Sequence, residues 1–342
     1  MVDRTGLPEF ADVEAAARRI APYAVETPFF ENATLNKELG ARIFFKVESL
    51  QRTGSFKFRG ACNRIALIAH GRRAAGVVAF SSGNHAQGVA AAAALFGMRA
   101  VIVMPSDAPR AKIEGTMALG AEIVCYDRLN DDREAIAKKI ATERGATLVR
   151  PFDDAGIVAG QGTIGLEMAR QAASHGVPLD AVLVPCSGGG VVSGIALALS
   201  VASPRTATIS VEPENFDGMR LSLAKGERTA ASGGNLSMAD ALMAPVPGQV
   251  PFAIAKKLVR TGLVVGEDDF ARAVACAARQ LKLVIEPGGS AGLAAILSGR
   301  YDVHGKTVAV VLTGGNCDFE TVAACISRAC PQGDAAHVAG FA

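Results

Sequence analysis

Short apolar runs bounded by turn residues alternate with alanine-rich stretches along most of this chain. The runs predict strands over 76–80, 100–104, 121–126, 181–185, 208–211 and 307–312. The stretches between them predict helices over 87–96, 111–119, 160–175 and 191–200. Val77-Val78-Ala79-Phe80 and Ala181-Val182-Leu183-Val184 are apolar at successive positions rather than alternating, which fits strands covered on both faces. Continuous apolar strands with helices between them predict an α/β fold with parallel sheets and helices on both sides. No internal repeat interrupts the rhythm. Residues 225–249 are rich in Gly, Ser and Pro and read as a long ordered excursion.

The chain has 342 residues, which predicts two lobes rather than one small core. Half of the residues are hydrophobic and 20% are charged, so a sizeable core is available and disorder is excluded. The net charge of +2, from 35 basic and 33 acidic residues, gives no field for nucleic acid or an anionic membrane. Seven cysteines fall at 62, 125, 186, 276, 317, 325 and 330, none with zinc-like spacing, and read as reduced thiols of a cytoplasmic protein. Met1-Val2-Asp3-Arg4 does not open a signal peptide, and every apolar stretch is broken before the ~18 residues a membrane span needs.

Four segments carry candidate chemistry. Lys57 lies between Phe56 and Phe58, after Gly54-Ser55. Aromatic flanks desolvate a lysine and favour its neutral amine, which can form a Schiff base with a carbonyl and later act as a base. The plainer reading is a lysine snorkelling from an element edge. Ser187-Gly188-Gly189-Gly190-Val191 follows a strand and opens a helix, where backbone N–H groups and the helix dipole attract an anion. It lacks the Lys-Ser/Thr of a Walker A loop and the glycine spacing of a dinucleotide site. A nicotinamide site stays open, because Glu212 ends the next strand about 20 residues on. A purely structural turn stays open too.

Ser81-Ser82-Gly83-Asn84-His85 also joins a strand to a helix, and its donors can hold a carboxylate or simply cap the helix. Gly314-Gly315-Asn316 is a third glycine-rich strand end. Three such ends fit one ligand crevice better than three unrelated turns, because ligands gather outside the carboxyl ends of parallel strands.

With these residues the chain resembles the fold type II pyridoxal-phosphate enzymes, the tryptophan synthase β-like fold, and within them the serine/threonine dehydratase and serine racemase group. The resemblance runs from Glu26-Thr27-Pro28 and Phe45-Lys46-Val47-Glu48 through Ser55-Phe56-Lys57-Phe58-Arg59-Gly60-Ala61 to Thr313-Gly314-Gly315-Asn316, and includes Glu286-Pro287-Gly288-Gly289. It implies a large domain of residues 1–49 and 154–330, a small domain of 50–153 and a flexible tail at 331–342. It implies that Lys57 bonds the pyridoxal phosphate, that Phe56 packs beside its ring, and that Asn84 bonds its phenolic oxygen. Ser187, Gly188, Gly189, Gly190 and Val191 would hold the phosphate. Glu286, Thr313 and Gly314 would line the ring, with the Thr313 hydroxyl near the pyridine nitrogen. The substrate carboxylate would lie on Ser81, Ser82, Gly83, Asn84 and His85, with Ser82 catalytic on the face opposite Lys57.

A hydroxyl at Thr313 does not hold a pyridinium as a carboxylate does, which disfavours transamination and suits β-elimination. The resemblance therefore implies dehydration of threonine or serine to a 2-keto acid and ammonia by a cytoplasmic homodimer. The leaving hydroxyl would be protonated through the cofactor phosphate. Serine racemisation, 3-hydroxyaspartate dehydration, β-replacement and a fold without turnover are the rival readings. Racemase-like relatives also hold a divalent cation through a Glu, a main-chain carbonyl and an Asp, which implies Glu212 and Phe216 here, with Gly218 in place of the Asp. Asp240-Ala241 stands where many relatives have a glycine near the ring face. The adjacent acids Asp153-Asp154 are expected to disfavour a substrate with an anionic side chain, which favours threonine over hydroxyaspartate.

Overall fold

The structure is a computed structural model and describes residues 6–329 apart from 82, 109 and 129. The tail after Pro331, Cys330 and Ser82 therefore lie outside the described residues. Ten strands are present among the described residues: β1 (Phe29–Glu31), β2 (Arg42–Val47), β3 (Val77–Phe80), β4 (Ala100–Pro105), β5 (Ala121–Tyr126), β6 (Thr147–Leu148), β7 (Ala181–Pro185), β8 (Ala207–Pro213), β9 (Val259–Val265) and β10 (Thr307–Leu312). They form two sheets. One has the order β1-β2-β10-β7-β8-β9, with only β1 antiparallel to its neighbour. The other is all parallel in the order β5-β4-β3-β6.

The successive apolar positions have a direct explanation. On β10, Val308, Val310 and Leu312 enter one core while Ala309 and Val311 enter another across the sheet. On β3, Val77 and Ala79 face one core and Val78 and Phe80 the other. Side chains alternate faces along a strand, so a strand with two covered faces has no polar phase. Among the described residues, no helix is long and apolar enough to cross a membrane.

Register sets the site. β10 runs level with β2, Thr307 opposite Arg42 and Leu312 opposite Val47, so the chains leaving both strands emerge side by side. Phe80 of β3 is level with Val103 of β4. Two helices begin well before the apolar pattern suggests, and a third was not read from it. Asn84–Leu95 starts at Asn84, so Asn84 and His85 belong to its first turn. Ala155–Ser174 starts behind Asp154, whose carboxylate accepts the Gly156 and Ile157 N–H groups. The helix Lys57–Ala66 begins at Lys57 itself. The excursion at 225–249 is irregular and includes one 3₁₀ turn, Asp240–Leu242, which reaches back to the crevice between the sheets.

Candidate active site

The segments following β2, β3, β6, β7 and β10 converge on a crevice of about 260 Å³. Glycines press its parts together. A Cβ on Gly88 would lie 3.2 Å from the Lys57 carbonyl carbon, and one on Gly160 would lie 2.7 Å from Gly60 Cα. The helix bearing Lys57 is thus held tightly by two others. Lys57 Nζ donates to the Pro151 carbonyl at 3.0 Å and stands 5.1 Å from the centre of the Phe56 ring. Burial, opposed by the Glu286 carboxylate, brings the Lys57 amine down to about 8.

Asn84 links the walls. Its Nδ2 donates to Glu286 Oε1 at 2.7 Å, and its Oδ1 accepts from Asn316 Nδ2 at 2.7 Å. Asn316 also donates to the Thr53 carbonyl at 2.7 Å. Burial raises Glu286 to about 7, against the hydrogen bond from Asn84. Gly314 is needed beside it, since a Cβ there would collide with Glu286 Oε1. Thr313 lines the crevice, and its carbonyl accepts the Phe56 N–H at 3.0 Å. His85 donates from Nε2 to the Val149 carbonyl at 3.0 Å, which assigns its tautomer. Burial first, then the nearby Lys57 charge, lowers its pKa to about 3, so it remains neutral. Ser81 and Gly83 line the same wall.

The loop after β7 forms the anion cradle. Gly189 has φ of 93°, the left-handed region, and a Cβ on it would lie 2.5 Å from Met219 Cε. A Cβ on Gly188 would collide with the Phe152 ring. No side chain caps the helix Gly190–Ala202 that opens there. Its first N–H groups, with the helix dipole behind them, face the crevice as bare donors for a doubly charged anion.

Three cations in the crevice lining went unnoticed in the sequence: Lys112, Arg128 and Arg133. Lys112 pairs with Asp240 at 3.2 Å and Arg128 with Asp107 at 3.1 Å. Arg133 lies 5.7 Å over the Phe80 ring and has no carboxylate partner among the described residues. The expectation for Asp153 and Asp154 is corrected. Asp153 accepts the Val250 N–H at 2.8 Å, and Asp154 caps its helix and pairs with Arg64 at 2.7 Å. Neither lines the crevice. Glu212, near the end of β8, and Phe216 and Gly218, beyond it, also stand outside the crevice.

A lysine of lowered pKa beside an uncapped helix start, at the carboxyl ends of parallel strands, defines an α/β enzyme built for a phosphorylated carbonyl cofactor. The chain belongs to the family described as pyridoxal-phosphate dependent enzymes, whose model matches residues 20–314. It is 41% identical over 323 residues to the L-threo-3-hydroxyaspartate ammonia-lyase of Pseudomonas sp, covering 93% of this chain and 98% of that one. It is 37% identical over 328 residues to the serine racemase of Schizosaccharomyces pombe, covering 96% and 100%. The crystal structure of a T.th. threonine deaminase superposes with a TM-score of 0.86 at 40% identity, covering 91% of this chain and 99% of that one. The fold is that of the fold type II pyridoxal-phosphate enzymes.

The residues present fit that cofactor. The glycine cradle at 188–190, which side chains would fill, suits its phosphate, and the Lys57 amine suits its aldehyde. Thr313 offers a neutral hydroxyl on the crevice wall.

Proposed function

We propose that this chain converts a small β-hydroxy amino acid to a 2-keto acid and ammonia, by β-elimination of the hydroxyl followed by hydrolysis. The observation that carries this reading is the pairing of Lys57, lowered to about 8, with the uncapped cradle at Ser187–Val191 in one crevice. Pyridoxal phosphate, when bound, supplies the electron sink for negative charge at the substrate Cα. Lys57 takes the Cα proton as a neutral amine. Ser81 and the first turn of the Asn84 helix receive the substrate carboxylate. Asn84 and Glu286 hold the crevice wall through their hydrogen bond. Thr313 fixes no positive charge on a ring nitrogen, so departure of the β-hydroxyl competes well with transamination. The net reaction is redox-neutral, since the water lost from Cα–Cβ is regained when the enamine hydrolyses to keto acid and ammonium.

If Lys57 acts this way, capture of pyridoxal phosphate by the cofactor-free chain should rise with pH and level off above about 8. Protonated lysine is not a nucleophile, so the rate follows the neutral fraction. Stopped-flow absorbance measures it. A rise continuing to about pH 10 would return Lys57 to ordinary lysine behaviour.

Among hydroxy amino acids, the cations of the crevice favour a substrate with a second carboxylate, of the 3-hydroxyaspartate class, over threonine or serine. Arg133 carries this preference, because Lys112 and Arg128 already have acidic partners. Arg133→Gln should lower kcat/KM for L-threo-3-hydroxyaspartate by about 10- to 100-fold, the scale of a charge-assisted hydrogen bond, and leave serine within about threefold. Equal losses for both substrates would remove Arg133 from side-chain recognition. Accumulation of the D-isomer from L-serine faster than keto acid would overturn elimination in favour of racemisation.

A further inference from the structure

The end of β8 and the turn that follows it carry a second set of acids, at Glu212 and Asp217, where the resemblance implied a divalent cation. The donors there do not fit one. Glu212 Oε1 accepts the Met219 N–H and Oε2 the Arg220 N–H, each at 2.8 Å. Asp217 is held by Arg220, whose Nε donates to Oδ2 at 2.8 Å and whose terminal nitrogen bonds the same oxygen. Position 218, where an acid would complete the set, is the glycine that starts the helix Gly218–Lys225. A Cβ there would meet Pro247 Cδ at 3.3 Å and the Thr229 and Pro245 carbonyl oxygens at 3.5 and 3.6 Å. The Pro245 carbonyl already accepts the Ala231 N–H at 2.9 Å. Among the described residues, no three His, Cys, Asp or Glu side chains gather as a metal-holding group. A hard divalent cation needs about six oxygens, and this corner has committed its carboxylates elsewhere.

We infer that this chain holds the β8 corner without a divalent cation, the Arg220 guanidinium and the first-turn amides of the Gly218 helix neutralising Asp217 and Glu212 instead. The consequence reaches the active site through Met219. Its N–H binds Glu212, and its side chain lies under the phosphate cradle, 2.5 Å from where a Cβ on Gly189 would sit. Arg220 is thus a positioning residue for the cradle. Its side chain is 40% exposed while that of Asp217 is 9% exposed, so removing it leaves a nearly buried charge unmatched.

The test uses the cofactor-loaded protein. After EDTA and dialysis, metal content is read by mass spectrometry, the melting midpoint by calorimetry, and cofactor loss by visible absorbance. Magnesium, calcium and manganese chlorides are then titrated back. The expected result is no stoichiometric metal, a midpoint that moves by less than about 1 °C with any of the three, and an unchanged rate of cofactor loss. Metal retained at one per chain, or a saturable rise of several degrees on adding a cation, would overturn the inference. Arg220→Gln should release cofactor several-fold faster, and Arg220→Lys should recover part of that loss. An Arg220→Gln protein that keeps its cofactor as the parent does would also overturn it.

Discussion

Replacing Lys57 by alanine is expected to lower kcat for keto-acid formation by at least about 10⁴-fold, because one side chain supplies both the covalent anchor and the base. Few other changes here should act so selectively. Among the described residues the amine hydrogen-bonds only the Pro151 carbonyl, while the packing of that helix rests on its neighbours Phe58, Ala61 and Ile65. Lys57→Ala should therefore stay folded, with circular dichroism like the parent and a melting midpoint within a few degrees. A coupled keto-acid assay measures the rate. Activity within about tenfold of the parent would show that another group does the work assigned to Lys57. Partial rescue by a small primary amine would show that the missing function is the amine itself.

Arg59→Met should cost about 3–5 kcal/mol of stability, the largest structural effect expected of any single change here. Arg59 is fully buried two residues from Lys57 and grips two acids. It donates to Glu48 at 2.8 Å through Nε and one terminal nitrogen, and to Glu167 at 2.6 and 2.9 Å. Lys46, also fully buried, meets Glu167 at 2.6 Å, so two cations balance two carboxylates. Methionine fills similar space but leaves one negative charge unmatched away from water, with Glu48 keeping, among the described residues, the Thr27 hydroxyl at 2.6 Å. The effect has a pH signature. Burial alone would raise Glu167, but Arg59 and Lys46 outweigh it and hold its pKa below the ordinary 4.5. A carboxylate with a lowered folded-state pKa contributes stability that is complete above its unfolded value and is lost as pH falls through the folded one. The difference between parent and Arg59→Met should therefore be full near neutrality and shrink under acid conditions. Urea unfolding at several pH values measures it. A difference below about 1 kcal/mol at pH 7 would mean that the cluster is dispensable.

Much of this architecture was legible because burial leaves a plain mark. The strands at 181–185 and 307–312 match their apolar runs, since a strand enclosed on both faces has no polar phase to blur its ends. The glycines at 188–189 and 314–315 were visible for a similar reason, because a Cβ at any of them would collide with its neighbours. The cationic wall left no such mark. Lys112, Arg128 and Arg133 come from separate segments and look in sequence like solvated surface charges, until folding sets them at one crevice. The ion cluster was equally hidden, with Arg59 and Glu167 standing 108 positions apart. Asp153 and Asp154 were misread, although a signal existed. An acid directly before a helical stretch is an N-cap signature, and backbone N–H groups at helix starts take both carboxylates away from the substrate.

Lys57 and the glycine cradle together are expected to make this chain a pyridoxal-phosphate enzyme of β-elimination. The measurement that tests it most directly is the visible absorption spectrum of the purified protein, taken before and after adding L-threo-3-hydroxyaspartate, L-threonine or L-serine, with keto acid assayed in the same cuvette. A visible band that shifts with at least one of these substrates while keto acid and ammonia accumulate is the predicted result. A protein with no band even after incubation with pyridoxal phosphate, or one whose band shifts while no keto acid forms from any of the three, would contradict it.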